Sequence, residues 1–125
     1  MKLRIRDNSV RLRLTQGEVE ALAKDGLIAA TTAFPDGRDF KYQVESSPAS
    51  VKPEANFTAS VISVRLPEST VLAWATSSQV SIAGKQQLDD GQLLELLVEK
   101  DFACLAPREG EDESDMFVNP GGGAC

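Results

Sequence analysis

A chain of 125 residues carries no histidine, which excludes Ser-His-Asp and Cys-His catalysis, imidazole-ligated zinc and His-held haem. Apolar residues make up 42% and charged residues 26%, an ordinary globular composition in which one domain buries roughly two-thirds of its unfolded surface. The 19 acids outnumber the 13 bases for a net charge of −6, which argues against nucleic acid and anionic membrane as partners.

At the start of the chain, Leu3 and Ile5 alternate with Lys2, Arg4 and Arg6, the pattern of a half-buried strand. This basic, interrupted stretch is no signal peptide. Val10, Leu12 and Leu14 alternate with Arg11 and Arg13, but one residue out of phase. A bulge or turn over Asp7-Asn8-Ser9 must absorb the slip. Thr15 and Glu18 then form a capping box, Val19, Leu22 and Ala23 share a helical face, and Asp25-Gly26 stops the helix.

Leu27 to Phe34 and Phe40 to Glu45 read as a hairpin around Pro35-Asp36-Gly37. A polar connection from Ser46 to Glu54 follows. The phase slips again near Ser60 between Phe57 and Ile62-Val64-Leu66, which predicts a second hairpin. Pro67-Glu68-Ser69 opens a second short helix bearing Val71, Trp74 and Ala75. Val80 and Ile82 form a short strand, and Asp90-Gly91 is a turn pair. For Gln92 to Leu105, helix propensity competes with alternation of Leu94, Leu96 and Val98 after that turn. The alternation predicts a long central strand.

Hairpin connections imply antiparallel pairing, and no internal repeat is evident. The predicted class is α+β: a mainly antiparallel curved sheet or partly open barrel, with two short helices over an end or one face. Residues 1–106 make one domain, and 107–125 form an irregular acidic and glycine-rich tail.

Several stretches carry a likeness. They are Met1-Lys2-Leu3-Arg4-Ile5-Arg6, Ser9-Val10-Arg11-Leu12-Arg13-Leu14-Thr15, Leu97 to Leu105, and Glu111-Asp112-Glu113-Ser114-Asp115 with Asn119-Pro120. Together they resemble a family of small uncharacterised bacterial proteins, a domain of unknown function. The likeness covers nearly the whole chain, and Glu99-Lys100-Asp101-Phe102-x-Cys104-Leu105 is its most specific part. A typical member has glycine where Asp7 sits. The resemblance implies a bacterial, single-domain, cytoplasmic protein and assigns no residue a role.

Three groups of residues could carry chemistry. Arg4, Arg6, Arg11 and Arg13 form a stripe that would grip a phosphorylated or carboxylated ligand bidentately. The bland alternative is pairing with acids of neighbouring strands such as Glu95 and Glu99, which predicts at least two of the four within ion-pair reach of carboxylates. Glu99 and Asp101 project together on a strand, as general acid–base work requires, or pair with the same arginines.

The third group is the late cysteines and acids. The run Glu109 to Asp115 fails the EF-hand template, because Ser114 holds the glycine position and Pro120 the bidentate Glu position. The thiolates of Cys104 and Cys125, with carboxylates from Asp112 or Asp115 completing four ligands, would make a metal site, but a glycine run holds a ligand poorly, so two free thiols and no metal are expected. Gly121-Gly122-Gly123 lacks the Lys-Ser/Thr and helix of a phosphate loop. The expected function is a non-catalytic binding or interaction module without cofactor, whose partner is a protein or a small anionic ligand. A metal- or anion-binding accessory protein and a carboxylate-dependent enzyme are the alternatives. Reduced cysteines and the lack of an export signal predict a cytoplasmic location.

Overall fold

Left-handed backbone decides where this chain reverses. The computed structural model describes residues 1–102 together with Asp115 and Phe117. β1 (Lys2–Arg6) and β2 (Ser9–Leu14) form an antiparallel hairpin around Asp7 and Asn8, with Asp7 at φ 47°. The phase slip is thus a two-residue turn. A glycine would sit in that conformation without strain, whereas aspartate tolerates it at modest cost.

α1 (Gln16–Asp25) starts at the predicted capping box. The Glu18 amide donates to Thr15 Oγ1 at 3.4 Å, the Thr15 amide donates to Glu18 Oε1 at 3.0 Å, and Gly26 closes the helix at φ 81°. β3 (Leu27–Ala33) and β4 (Asp39–Ser47) follow around a tight turn at Pro35–Gly37. β5 (Glu54–Thr58) and β6 (Val61–Pro67) make the next hairpin, turning on Ala59 at φ 52° and Ser60 at φ 63°. α2 (Glu68–Ala75), β7 (Ser81–Gln87) and β8 (Leu93–Lys100) complete the order. Gln92 to Leu105 is therefore strand where it is described as an element, and β8 is central, between β2 and β7.

The strands form two four-stranded sheets, β1-β2-β8-β7 and β3-β4-β6-β5. The class is α+β with two helices, as expected, but two mixed sheets replace the expected single curved, mainly antiparallel sheet or partly open barrel. Each hairpin is antiparallel, but β2 pairs β8 in parallel and β4 pairs β6 in parallel. Turn residues specify pairing inside a hairpin. How one hairpin meets another is set by burial across a long stretch of chain, and no local pattern encodes it.

The expectation of no internal repeat is also overturned. Adding 52 to the residue numbers of the first hairpin gives the third with its register intact: Lys2↔Arg13 becomes Glu54↔Arg65, and Ile5↔Val10 becomes Phe57↔Ile62. Adding 54 converts the second hairpin to the fourth, since Leu27↔Glu45 becomes Ser81↔Glu99. The parallel joints obey the same shift, Ser9↔Glu95 matching Val61↔Lys41. The chain is a hairpin–helix–hairpin unit present twice, and each sheet takes one hairpin from each unit.

The core follows this duplication. Leu12, Leu14, Val19, Leu22 and Val44 are buried, and so are their counterparts Val64, Leu66, Val71, Trp74 and Val98. One apolar cluster thus draws on both sheets and both helices. α1 and α2 pack on one another where β2 and β6 end. The edges of β5 and β7 also meet: the Ala55 amide donates to Gln86 Oε1 at 2.7 Å, and a Cβ on Gly84 would lie 2.8 Å from Pro53 Cβ. No helix among the described residues is long and apolar enough to cross a membrane.

Candidate functional site

Alternation on β2 and β8 buries Val10, Leu12, Leu14, Leu96 and Val98, and so turns their neighbours to the other face of the first sheet. The register lays these neighbours in rows across it. Lys2, Arg13, Glu99 and Ser81 form one row. Arg4, Arg11, Leu97 and Ala83 form the next, then Arg6, Ser9, Glu95 and Lys85. A chain with net charge −6 therefore carries a face on which bases outnumber acids.

Glu99 is the electrostatic centre of that face. It is only 8% exposed, and its Oε1 lies 2.7 Å from both Arg11 Nε and Arg13 Nε. The expected pairing of two arginines with a carboxylate is present. The two contacts differ, however. Arg13 Nε donates a hydrogen bond, whereas Arg11 Nε is buried and has no hydrogen-bond partner. Asp101 is also buried and holds Lys2 Nζ at 3.3 Å. Glu99 and Asp101, the predicted carboxylate pair, are both engaged with cations.

Arg4 and Arg6 make no ion pair among the described residues. They line a hollow of about 170 Å³ with Ser9 and Arg11. Arg4 stands directly opposite Arg11, an arrangement of like charges that destabilises a strand pair. A second hollow of about 330 Å³ shares Arg6 and Ser9 with it and is walled also by Asp7, Asn8, Leu93 and Glu95. Asn8 is fixed there, because its side-chain amide donates to the Leu93 carbonyl at 2.8 Å and the Glu95 amide donates to the Asn8 carbonyl at 3.0 Å.

The duplicated scaffold supplies an internal control for these residues. Arg13 and Glu99 correspond to Arg65 and Glu45, which also form an ion pair, at 3.3 Å. That pair belongs to the scaffold. Arg4, Arg6 and Arg11 correspond instead to Asn56, Thr58 and Ser63, so the scaffold does not require arginine at these places. Glu54, Asn56, Ser63 and Gln43 line a hollow of about 350 Å³ on the second sheet with no comparable excess of cations.

Lys100, between the two carboxylates in sequence, points to the opposite face. Its Nζ donates to the Ser77 carbonyl at 2.8 Å and lies 5.8 Å from the Trp74 ring centre and 5.4 Å from that of Phe117. Burial pushes its amine below the ordinary value of 10.5. Between the lowered value and 10.5 the unfolded chain holds a proton that the folded chain has lost, so stability rises with pH in that window. Urea unfolding of Lys100→Met beside the parent from pH 7 to 10.5 checks this. The parent is expected to gain on the variant as the pH rises.

Of the predicted metal set, Cys104, Asp112 and Cys125 lie outside the described residues. Asp115 is described and sits at the start of α1, where its Oδ1 accepts from the Gly17 amide at 3.1 Å and its carbonyl accepts from the Gln16 amide at 3.0 Å. No group of three or more potential metal-ligating His, Cys, Asp or Glu residues occurs among the described residues. Sequence reasoning singled out the arginines but not Ser9, Asp7, Asn8 or Glu95 as walls of one depression. The phase slip at Asp7 to Ser9 was the available signal.

Comparison with known proteins gives one finding of family. The model of a family described as a family of unknown function (DUF7009) matches residues 1–121. No curated protein and no solved structure matches the chain.

Proposed function

The chain belongs to this family of unknown function, and from its own surface we propose that it is a non-catalytic binding module that takes a small anionic ligand on the arginine face of the first sheet. One observation carries the reading. Arg4, Arg6 and Arg11 converge on one hollow, and the repeated half of the scaffold has Asn56, Thr58 and Ser63 at those positions. An anion between Arg4 and Arg11 relieves their repulsion, and guanidinium groups match phosphate and carboxylate geometry. Glu99 holds the Arg11 guanidinium at 2.7 Å, which limits the entropy lost on binding. With both carboxylates bound to cations, acid–base catalysis has less support.

We read residues 1–106 as the body of one domain, on the strength of a core shared by both sheets, and 107–125 as an acidic segment whose Asp115 and Phe117 pack back on that body. A bacterial source rests on the family likeness. A cytoplasmic location rests on the same likeness.

A thermal melt in inorganic phosphate against chloride at matched ionic strength tests the proposal. Phosphate is expected to raise the melting temperature of the parent, by the equivalent of about 2.7 kcal/mol at a hundredfold excess over Kd. The double variant Arg4→Gln, Arg6→Gln should lose that rise, and Asn56→Ala, Thr58→Ala should keep it. Equal effects of phosphate and chloride on the parent would overturn the proposal.

A further inference from the structure

We infer that the ligand is a zwitterion: a small phosphate monoester whose alcohol carries a protonated amine. This rests on the anion-binding reading above and assigns the neighbouring hollow. The two hollows share Arg6 and Ser9 in their linings but differ in charge. Arg4, Arg6 and Arg11 line the first. The second presents Asp7 and Glu95, which make no ion pair with any described residue.

A purely anionic ligand that fills both hollows would be repelled by the two carboxylates, and a purely cationic one by the arginines. A phosphate among the arginines, with an ammonium reaching Asp7 and Glu95, satisfies both ends. The second hollow, at about 330 Å³, lies at the small end of the ~300–1,000 Å³ range of small-molecule sites. Leu93, 48% exposed, gives the body of the ligand an apolar wall. Asn8 is locked to β8 on both its side chain and its backbone, so the wall is formed before the ligand arrives.

The duplication again separates this from ordinary surface charge. Asp7 and Glu95 correspond to Ala59 and Lys41, so the equivalent place in the second sheet has no carboxylate at either position. Both ends of the dipole are peculiar to the first sheet.

The test uses a matched pair of probes that differ only in ammonium for hydroxyl, glucosamine 6-phosphate and glucose 6-phosphate, with inorganic phosphate beside them. Titration calorimetry on the full chain at low ionic strength is expected to show glucosamine 6-phosphate binding about fivefold tighter than glucose 6-phosphate. Asp7→Asn with Glu95→Gln should bring the two to equal affinity without weakening phosphate binding, which gains from the loss of two nearby negative charges. Asparagine suits the left-handed backbone at position 7, so this variant is expected to fold. If phosphate binds and the two sugars bind equally to the parent, the zwitterion is wrong and the anion site stands. If none of the three binds, both readings fall.

Discussion

Replacing Trp74 by alanine is expected to lower the free energy of unfolding by about 3–5 kcal/mol, the largest effect of any single truncation in this chain. Trp74 is fully buried on α2, and its indole N–H donates to the Val80 carbonyl at 2.9 Å. Truncation removes the transfer free energy of the ring and leaves a void between the helices and both sheets. It also takes the indole donor from the Val80 carbonyl. Against a total stability of about 5–15 kcal/mol for a native protein, the loss is large enough to leave part of the variant unfolded at 37 °C. Leu72→Ala, on the exposed side of the same helix at 44% exposure, is the control and should change stability by about 0.5 kcal/mol or less. Urea unfolding of the two variants reads the difference, and similar losses would show that α2 does not pack as described.

The second large effect is expected at Glu99→Gln. This change keeps the shape and removes the charge on which Arg11 and Arg13 converge. Loss of one member of a fully buried ion pair costs about 3–5 kcal/mol. The two arginine side chains are 33% and 34% exposed, so water screens part of this, and about 1–3 kcal/mol is expected. The counterpart, Glu45→Gln, breaks a pair whose side chains are 36% and 54% exposed, and should cost about 0.2–1 kcal/mol. Raising the salt concentration should shrink the smaller loss proportionally more. Equal losses at the two sites would mean that the convergence of two arginines on Glu99 adds nothing to an ordinary surface pair.

Local features of the chain were legible where a single residue type settles a backbone conformation. Thr15, Glu18 and Gly26 bound α1 because each satisfies or frees a specific terminal group, and Pro35-Asp36-Gly37 turns because of its φ angles. The strand at β8 was legible despite its leucines, since alternation after Asp90-Gly91 outweighs helix propensity once a second strand is available to pair with. The parallel joints were not legible. They connect Ser9 to Glu95 and Lys41 to Val61, and no turn residue stands between such partners to announce the pairing.

The duplication escaped notice for a related reason. What the two halves share is strand register and burial, with identical residues only at scattered places such as Leu14 and Leu66, Val19 and Val71, Asp36-Gly37 and Asp90-Gly91, or Glu45 and Glu99. Elsewhere one apolar residue replaces another, as with Val10 and Ile62 or Leu22 and Trp74, and the repeat distance changes from 52 to 54 after the helix. Of the candidate site, the arginine stripe was readable from alternation alone. Which arginines are held by Glu99 and which face a hollow depends on β8 lying beside β2, a fact of the parallel pairing.

We propose that one scaffold unit, present twice, carries an anion site on one sheet only. Amide chemical shifts followed by NMR during a phosphate titration test it most directly, because both faces are observed in one sample. Saturable shifts are expected at Arg4, Arg6, Ser9 and Arg11, with their counterparts Asn56, Thr58, Val61 and Ser63 unmoved. Shifts of equal size on the two faces, or none on the first sheet, would contradict it.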